Sequence, residues 1–317
     1  MHNFFHVARN TFRESLREPI FFILLVAAIS LIGLFPSISL FVFREQLKLV
    51  VDSSMATTLL FGLIAAVLSA SHAITREINN GTVLLLLSKP VSRWSFVLSK
   101  MAGILSALSV FVFICNCAAL ISLRVAKDQF ELDYLTFYTY FGIIILAMVW
   151  GGYRNFYGRK SFSASAVMAL FLILPLFIIT FLFRPVEGGI PRIHTEVIPA
   201  LVLLFFAVWT MGAITVMLSC KLEMTANLLV SSILFFAGLI SDYFLGASSG
   251  TVSLSAAIYA LIPNWQFFWM ADALTNKKSI PSEYLLWSAV YVIFYISLCS
   301  IIAITLFSNK EIAENVR

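Results

Sequence analysis

Eight apolar runs, at 20–43, 55–74, 96–123, 135–150, 162–183, 197–220, 228–245 and 284–307, dominate this chain of 317 residues, and each approaches the length at which a helix crosses a hydrocarbon core of about 30 Å. Inside lipid a backbone N–H or C=O finds no water, so runs of this kind must satisfy their own hydrogen bonds as helices. The expected fold is therefore an all-α polytopic membrane protein with about eight transmembrane helices. Composition agrees: 61% of residues are hydrophobic and 12% charged, well beyond the roughly half-apolar usage of a soluble domain. Pro36, near the far end of the first run, predicts a kink rather than a break, because neighbouring helices can satisfy the carbonyl it frees. The expected organisation is an interfacial helix at 1–19, a transmembrane domain at 20–307 and a tail at 308–317.

An even number of spans puts both termini on one side, and the basic residues say which. Arg9, Arg13, Arg17, Arg76, Lys89, Arg93, Lys100, Arg154, Arg159, Lys160, Lys221, Lys310 and Arg317 make thirteen on the side of the termini, against eight on the other. Cytoplasmic loops carry the excess of Lys and Arg, so both termini and the 76–93 loop are expected in the cytoplasm, with the chain in a plasma (bacterial inner) membrane. Ahead of the first span, Phe5, Ala8, Phe12 and Leu16 fall on one helical face with Arg9, Arg13 and Arg17 along its flank, the pattern of an amphipathic helix lying in the interface. The charged start lacks the short apolar core of a cleaved signal, so the first span is the expected targeting element.

The most informative polar stretch is 76–93, wedged between the second and third runs. Gly81 can end one short helix, Thr82 can cap the next, and Leu84 to Leu87 add about one turn of apolar surface before Lys89-Pro90 terminates it. Ser92 is then placed to cap the third span. The stretch reads as turn, short helix, turn, outside the lipid. Glu77, Gly81, Thr82, Leu86, Ser88, Pro90 and Arg93 resemble the E-x-x-x-G-T…L-x-S-x-P-x-x-R signature of the permease subunits of type-two ABC exporters. The resemblance implies a coupling helix at 76–93 that docks on a cytoplasmic ABC ATPase, with Glu77 and Arg93 at its edges and Leu84, Leu86 and Leu87 as an apolar plug. It further implies a second permease copy or a related permease, and a six-span core to which the 135–150 and 162–183 pair is an added hairpin.

Two other loops qualify as a second ATPase contact, and the residues do not choose between them: Arg154, Arg159 and Lys160 in the basic 151–160 loop, or Lys221 and Glu223 in the 221–227 turn. The 151–160 loop is interleaved with aromatics, yet it stands between two spans and offers no stacking platform, so a membrane-surface anchor is expected and nucleic acid is not. On the outer side, 252–283 is too polar to span. Trp265 and Trp269, one helical turn apart after Pro263, suit a short interfacial helix that either anchors the chain or, as the resemblance implies, lines a substrate exit. Trp94 and Lys100 are expected as inner-interface anchors, Asn116 as a hydrogen bond between helices, and His72 as a packing residue.

Missing motifs limit the chemistry. No G-x-x-x-x-G-K-[ST] loop occurs, so ATP and magnesium are expected in a partner ATPase, with no cofactor held by this chain. Cys115, Cys117, Cys220 and Cys299 fall in apolar runs without metal-ligand spacing and are expected as buried free thiols. No catalytic constellation is present, and the mid-membrane ionisable residues of an ion-coupled carrier are missing. The expected function is the permease subunit of an ATP-driven exporter; a secondary transporter or channel, or a membrane assembly protein without transport, are the alternatives.

Overall fold

The computed structural model of the protein describes residues 2–39, 46–75, 93–126, 132–183, 193–245, 262–270 and 280–314. Among them stand nine α-helices: α1 (His2–Arg17), α2 (Pro19–Ser39), α3 (Gln46–Ala70), α4 (Arg93–Val125), α5 (Tyr134–Phe156), α6 (Phe162–Thr180), α7 (Ile198–Ser219), α8 (Met224–Leu245) and α9 (Ser282–Glu314). All except α1 contain a stretch long and apolar enough to span, giving the eight spans expected. The described residues form no strand, only an isolated bridge between Ala126 and Leu132.

Helix α4 is the centre of the bundle. Its 33 residues extend about 50 Å, well beyond a bilayer core, and it packs against α1, α2, α3, α5, α6, α7 and α9. Ile104, Leu108, Phe111 and Cys115 are fully enclosed along it. By contrast, Leu229, Ile233, Phe236 and Ile240 of α8 lie exposed in one stripe, which a bilayer or a second chain must cover. The four cysteines are free and buried, as expected.

Polar atoms inside the bundle follow the rule that lipid supplies no hydrogen bonds. Asn116 donates to the Leu201 carbonyl of α7 at 2.9 Å, the inter-helical role expected of it. Helix α2 runs unbroken through Pro36. Proline has no N–H, so the Ile32 carbonyl four residues earlier loses its helical donor; the Ser122 hydroxyl of α4 donates to it at 2.7 Å instead. One turn away, the Tyr140 hydroxyl of α5 donates to the Ile29 carbonyl at 2.6 Å, and its ring crosses so close to Gly33 that a Cβ there would clash with it. Ser122→Ala should therefore destabilise the purified protein by about 1 kcal/mol, the cost of a lost buried hydrogen bond, as read from its denaturation midpoint in detergent.

Two side chains are more buried than expected. Lys100 is only 2% exposed, with its ammonium 5.8 Å from the Phe96 ring centre, so it is packed inside and does not snorkel. Trp265, expected among headgroups, is 2% exposed: the short 3₁₀ turn Trp265–Phe268, capped by the Asn264 side chain, is held on α8 by ring contact with Phe235 and a bond from Gln266 Nε2 to the Leu239 carbonyl. Trp269 is half-buried beside it. Helix α9 continues past the span to Glu314, through most of the expected tail.

Candidate functional site

The expected coupling residues Glu77, Gly81, Thr82, Leu84, Leu86, Leu87 and Pro90 lie outside the described residues, and Arg93 opens α4. What the structure describes is the frame on which that segment begins. Helix α3 ends in a π-turn, Ser71–Thr75, and this turn touches two other corners of the bundle. Single π-turns widen a helix locally and often occur at functional positions.

The first corner is the α7–α8 turn. Asn227, in the first turns of α8 and fully buried, points its amide nitrogen at the Ser219 hydroxyl (2.7 Å), the Thr215 carbonyl (3.1 Å) and the Ser71 hydroxyl (3.3 Å). Its amide oxygen accepts from the Ser231 hydroxyl at 3.1 Å. The Thr75 hydroxyl lies 3.2 Å from the Ser219 carbonyl and 3.4 Å from that of Leu222. Asn227 thus joins α3, α7 and α8, and Thr75, the residue just before 76–93, is pinned to the turn that carries Lys221 and Glu223, both exposed.

The second corner is the α1–α2 junction, where Glu18 Oε1 stands 2.9 Å from His72 Nδ1 with both side chains partly exposed. His72 is therefore a tie between elements, an ion pair when protonated, beyond the packing role expected of it. The sequence hints were slight: Ser219, Asn227 and Ser231 are polar residues at the ends of apolar runs, and Asn227 and Ser231 share a helical face.

Arg154, Arg159 and Lys160 lie elsewhere. Helix α5 continues to Phe156, so Arg154 belongs to its last turn and not to a loop. Gly158, Arg159 and Lys160 then make a tight turn in which the Gly158 and Lys160 N–H groups donate to the Arg154 carbonyl, Asn155 caps the Lys160 carbonyl at 2.9 Å, and Arg159 takes φ 47°. That left-handed conformation costs an L-residue about 1–2 kcal/mol relative to glycine. Helix α1 packs alongside, burying Thr11, Ser15 and Leu16 while Phe5 remains 69% exposed and Arg9, Arg13 and Arg17 face outward. Thus the α5–α6 hairpin tip belongs with α1, whereas Lys221 and Glu223 belong with Thr75, the last described residue before 76–93.

A helical bundle of eight apolar helices long enough to span, with a polar knot at the end of the second of them, defines a multi-pass membrane protein. Residues 5–190, more than half of the chain, match the family model described as ABC-2 family transporter protein. The chain belongs to the ABC-2 family of transporters, as a membrane component. The match runs through both helices of the α5–α6 hairpin, so the pair expected as an addition lies inside the stretch that carries the family likeness. Proteins of this family typically have no catalytic activity of their own. No curated protein matches the chain. Among the described residues no three metal-ligating side chains come together.

Proposed function

We propose that this chain is the transmembrane subunit of an ATP-driven exporter in the bacterial inner membrane, moved by a separate cytoplasmic ATPase that binds ATP and magnesium. Both termini and 76–93 face the cytoplasm in this reading, and a second permease, identical or related, completes the translocation path. The observation that carries it is the knot at Ser71–Thr75. A segment pushed by a partner can move spans only if its ends are fastened to them. Thr75 is fastened to the end of α7 and to the α7–α8 turn, and His72 faces Glu18 at the head of α2. The exposed Lys221 and Glu223 stand on the turn that Thr75 grips, which supports them over Arg154, Arg159 and Lys160 as the second ATPase contact.

The test is co-purification with the ATPase, followed by ATP turnover. Gly81→Val and Glu77→Ala should leave the amount of protein in the membrane unchanged and reduce stimulation of turnover about tenfold, within the usual range of coupling between sites. Normal binding and turnover in both variants would make 76–93 an ordinary loop and remove the reading.

A further inference from the structure

The α1–α6 side of the bundle holds a cleft of about 830 Å³ that the transport reading does not use. Its rim carries Arg13 and Arg17 from α1, Arg154 from the end of α5, and Arg159 and Lys160 from the turn, and no acidic residue lines it among the described residues. Five cations on one rim repel one another unless an anion sits among them. Ser161, at the N-cap position of α6, leaves its hydroxyl without a capping bond and lines the same rim. Below, the wall turns apolar, with Leu16, Ala164, Met168 and Leu172, and from Ser161 to Leu172 it follows α6 for about 16 Å along the span axis. The cleft therefore changes from cationic to apolar along the direction in which a phospholipid changes from headgroup to chain.

We propose that this cleft is a binding site for one anionic phospholipid of the leaflet on the side of the termini, its phosphate among Arg13, Arg17, Arg154, Arg159 and Lys160 and an acyl chain along α6. The occupant follows from charge complementarity and from position. A neutral zwitterionic lipid would leave the excess positive charge uncompensated, and a soluble anion would leave Met168 and Leu172 uncovered. The turn itself favours charge over backbone ease, since Arg159 is held in the left-handed region at a position where glycine would be relaxed. Helix α1, which packs on α2, α4, α6 and the π-turn, would be held more firmly to the hairpin by the shared lipid.

The experiment is native mass spectrometry of the full-length protein in detergent, titrated with dioleoyl-phosphatidylglycerol, with dioleoyl-phosphatidylcholine and, separately, with glycerol phosphate. Phosphatidylglycerol should be retained in preference to phosphatidylcholine, and glycerol phosphate should not compete at equal concentration. Arg159→Gly relaxes the backbone while removing a charge, and Lys160→Gln alters only an exposed tip, so both should fold; each should weaken phosphatidylglycerol retention about fivefold, and together about thirtyfold, as expected for basic residues near a headgroup. Ser165→Trp, which fills the cleft and keeps every charge, should displace the lipid as well. Equal retention of both lipids, retention unaffected by the paired substitution or by Ser165→Trp, or competition by glycerol phosphate as strong as by the lipid would each overturn the proposal.

Discussion

Asn227→Ala should destabilise the purified protein by about 2 kcal/mol and, in the assembled complex, uncouple ATP turnover from the membrane subunit. The energy follows from what the amide holds. Hydrogen bonds between membrane helices average about 0.6 kcal/mol each, so the contacts to Ser71, Ser219 and Thr215 account for most of it, and the void left by a fully buried side chain adds the rest. The partners do not suffer equally. Ser219 also donates to the Thr215 carbonyl at 2.8 Å and stays satisfied, whereas the Ser231 hydroxyl loses its acceptor. The functional loss should exceed what this modest energy suggests, because the Asn227 amide bonds the Ser71 hydroxyl of the π-turn as well as Ser219 and Thr215 of α7. A double-mutant cycle with Ser71→Ala in denaturation measurements, read beside ATP turnover, checks this. Strict additivity would show that the π-turn and the α7–α8 corner are independent, since residues sharing a hydrogen bond normally couple by at least about 0.5 kcal/mol.

The second large effect concerns Gly103→Ala, and there the sign decides. In an unobstructed helix, replacing glycine by alanine gains about 1 kcal/mol from reduced backbone entropy. At position 103 a Cβ would meet the Ala8 carbonyl oxygen at 2.6 Å and the Thr11 Cβ at 2.7 Å, and a backbone atom of a packed helix cannot swing aside. Overpacking of this kind costs about 1–3 kcal/mol, so the net change should be destabilising. The strain should be relieved by α1 leaving α4, which exposes Thr11 and Ser15, buried in the wild type. Limited trypsin digestion at Arg9, Arg13 and Arg17 should then proceed faster than in the wild type. A stabilised protein with unchanged digestion would mean that α1 rests on the surface of the bundle without close packing. The result also bears on the cleft, since Arg13 and Arg17 supply part of its rim.

The sequence by itself determined the eight spans, because a bilayer imposes length and apolarity on every crossing and each residue contributes to that signal independently of its neighbours in space. It determined the inter-helical role of Asn116 for the same reason: an amide in lipid has nowhere else to bond. It determined the unbroken course of α2 through Pro36, while the donor that makes this possible, Ser122, lies far along the chain and could not be read. The tertiary structure alone decided which polar residues meet. Glu18 and His72, or Thr75 and Leu222, lie far apart along the chain, and nothing periodic in it ties one to the other. It also decided burial where amphipathic side chains have two options. Lys100 and Trp265 each carry a long apolar body with a polar tip, and the same residue sits in headgroups or inside a bundle according to whether a neighbouring helix covers it. The separation of Arg154, Arg159 and Lys160 from Lys221 and Glu223 arose in the same way, because loops on one side of a membrane share charge and composition, and only the packing of α1 against α6 and of Thr75 against the α7–α8 turn gives them different neighbours.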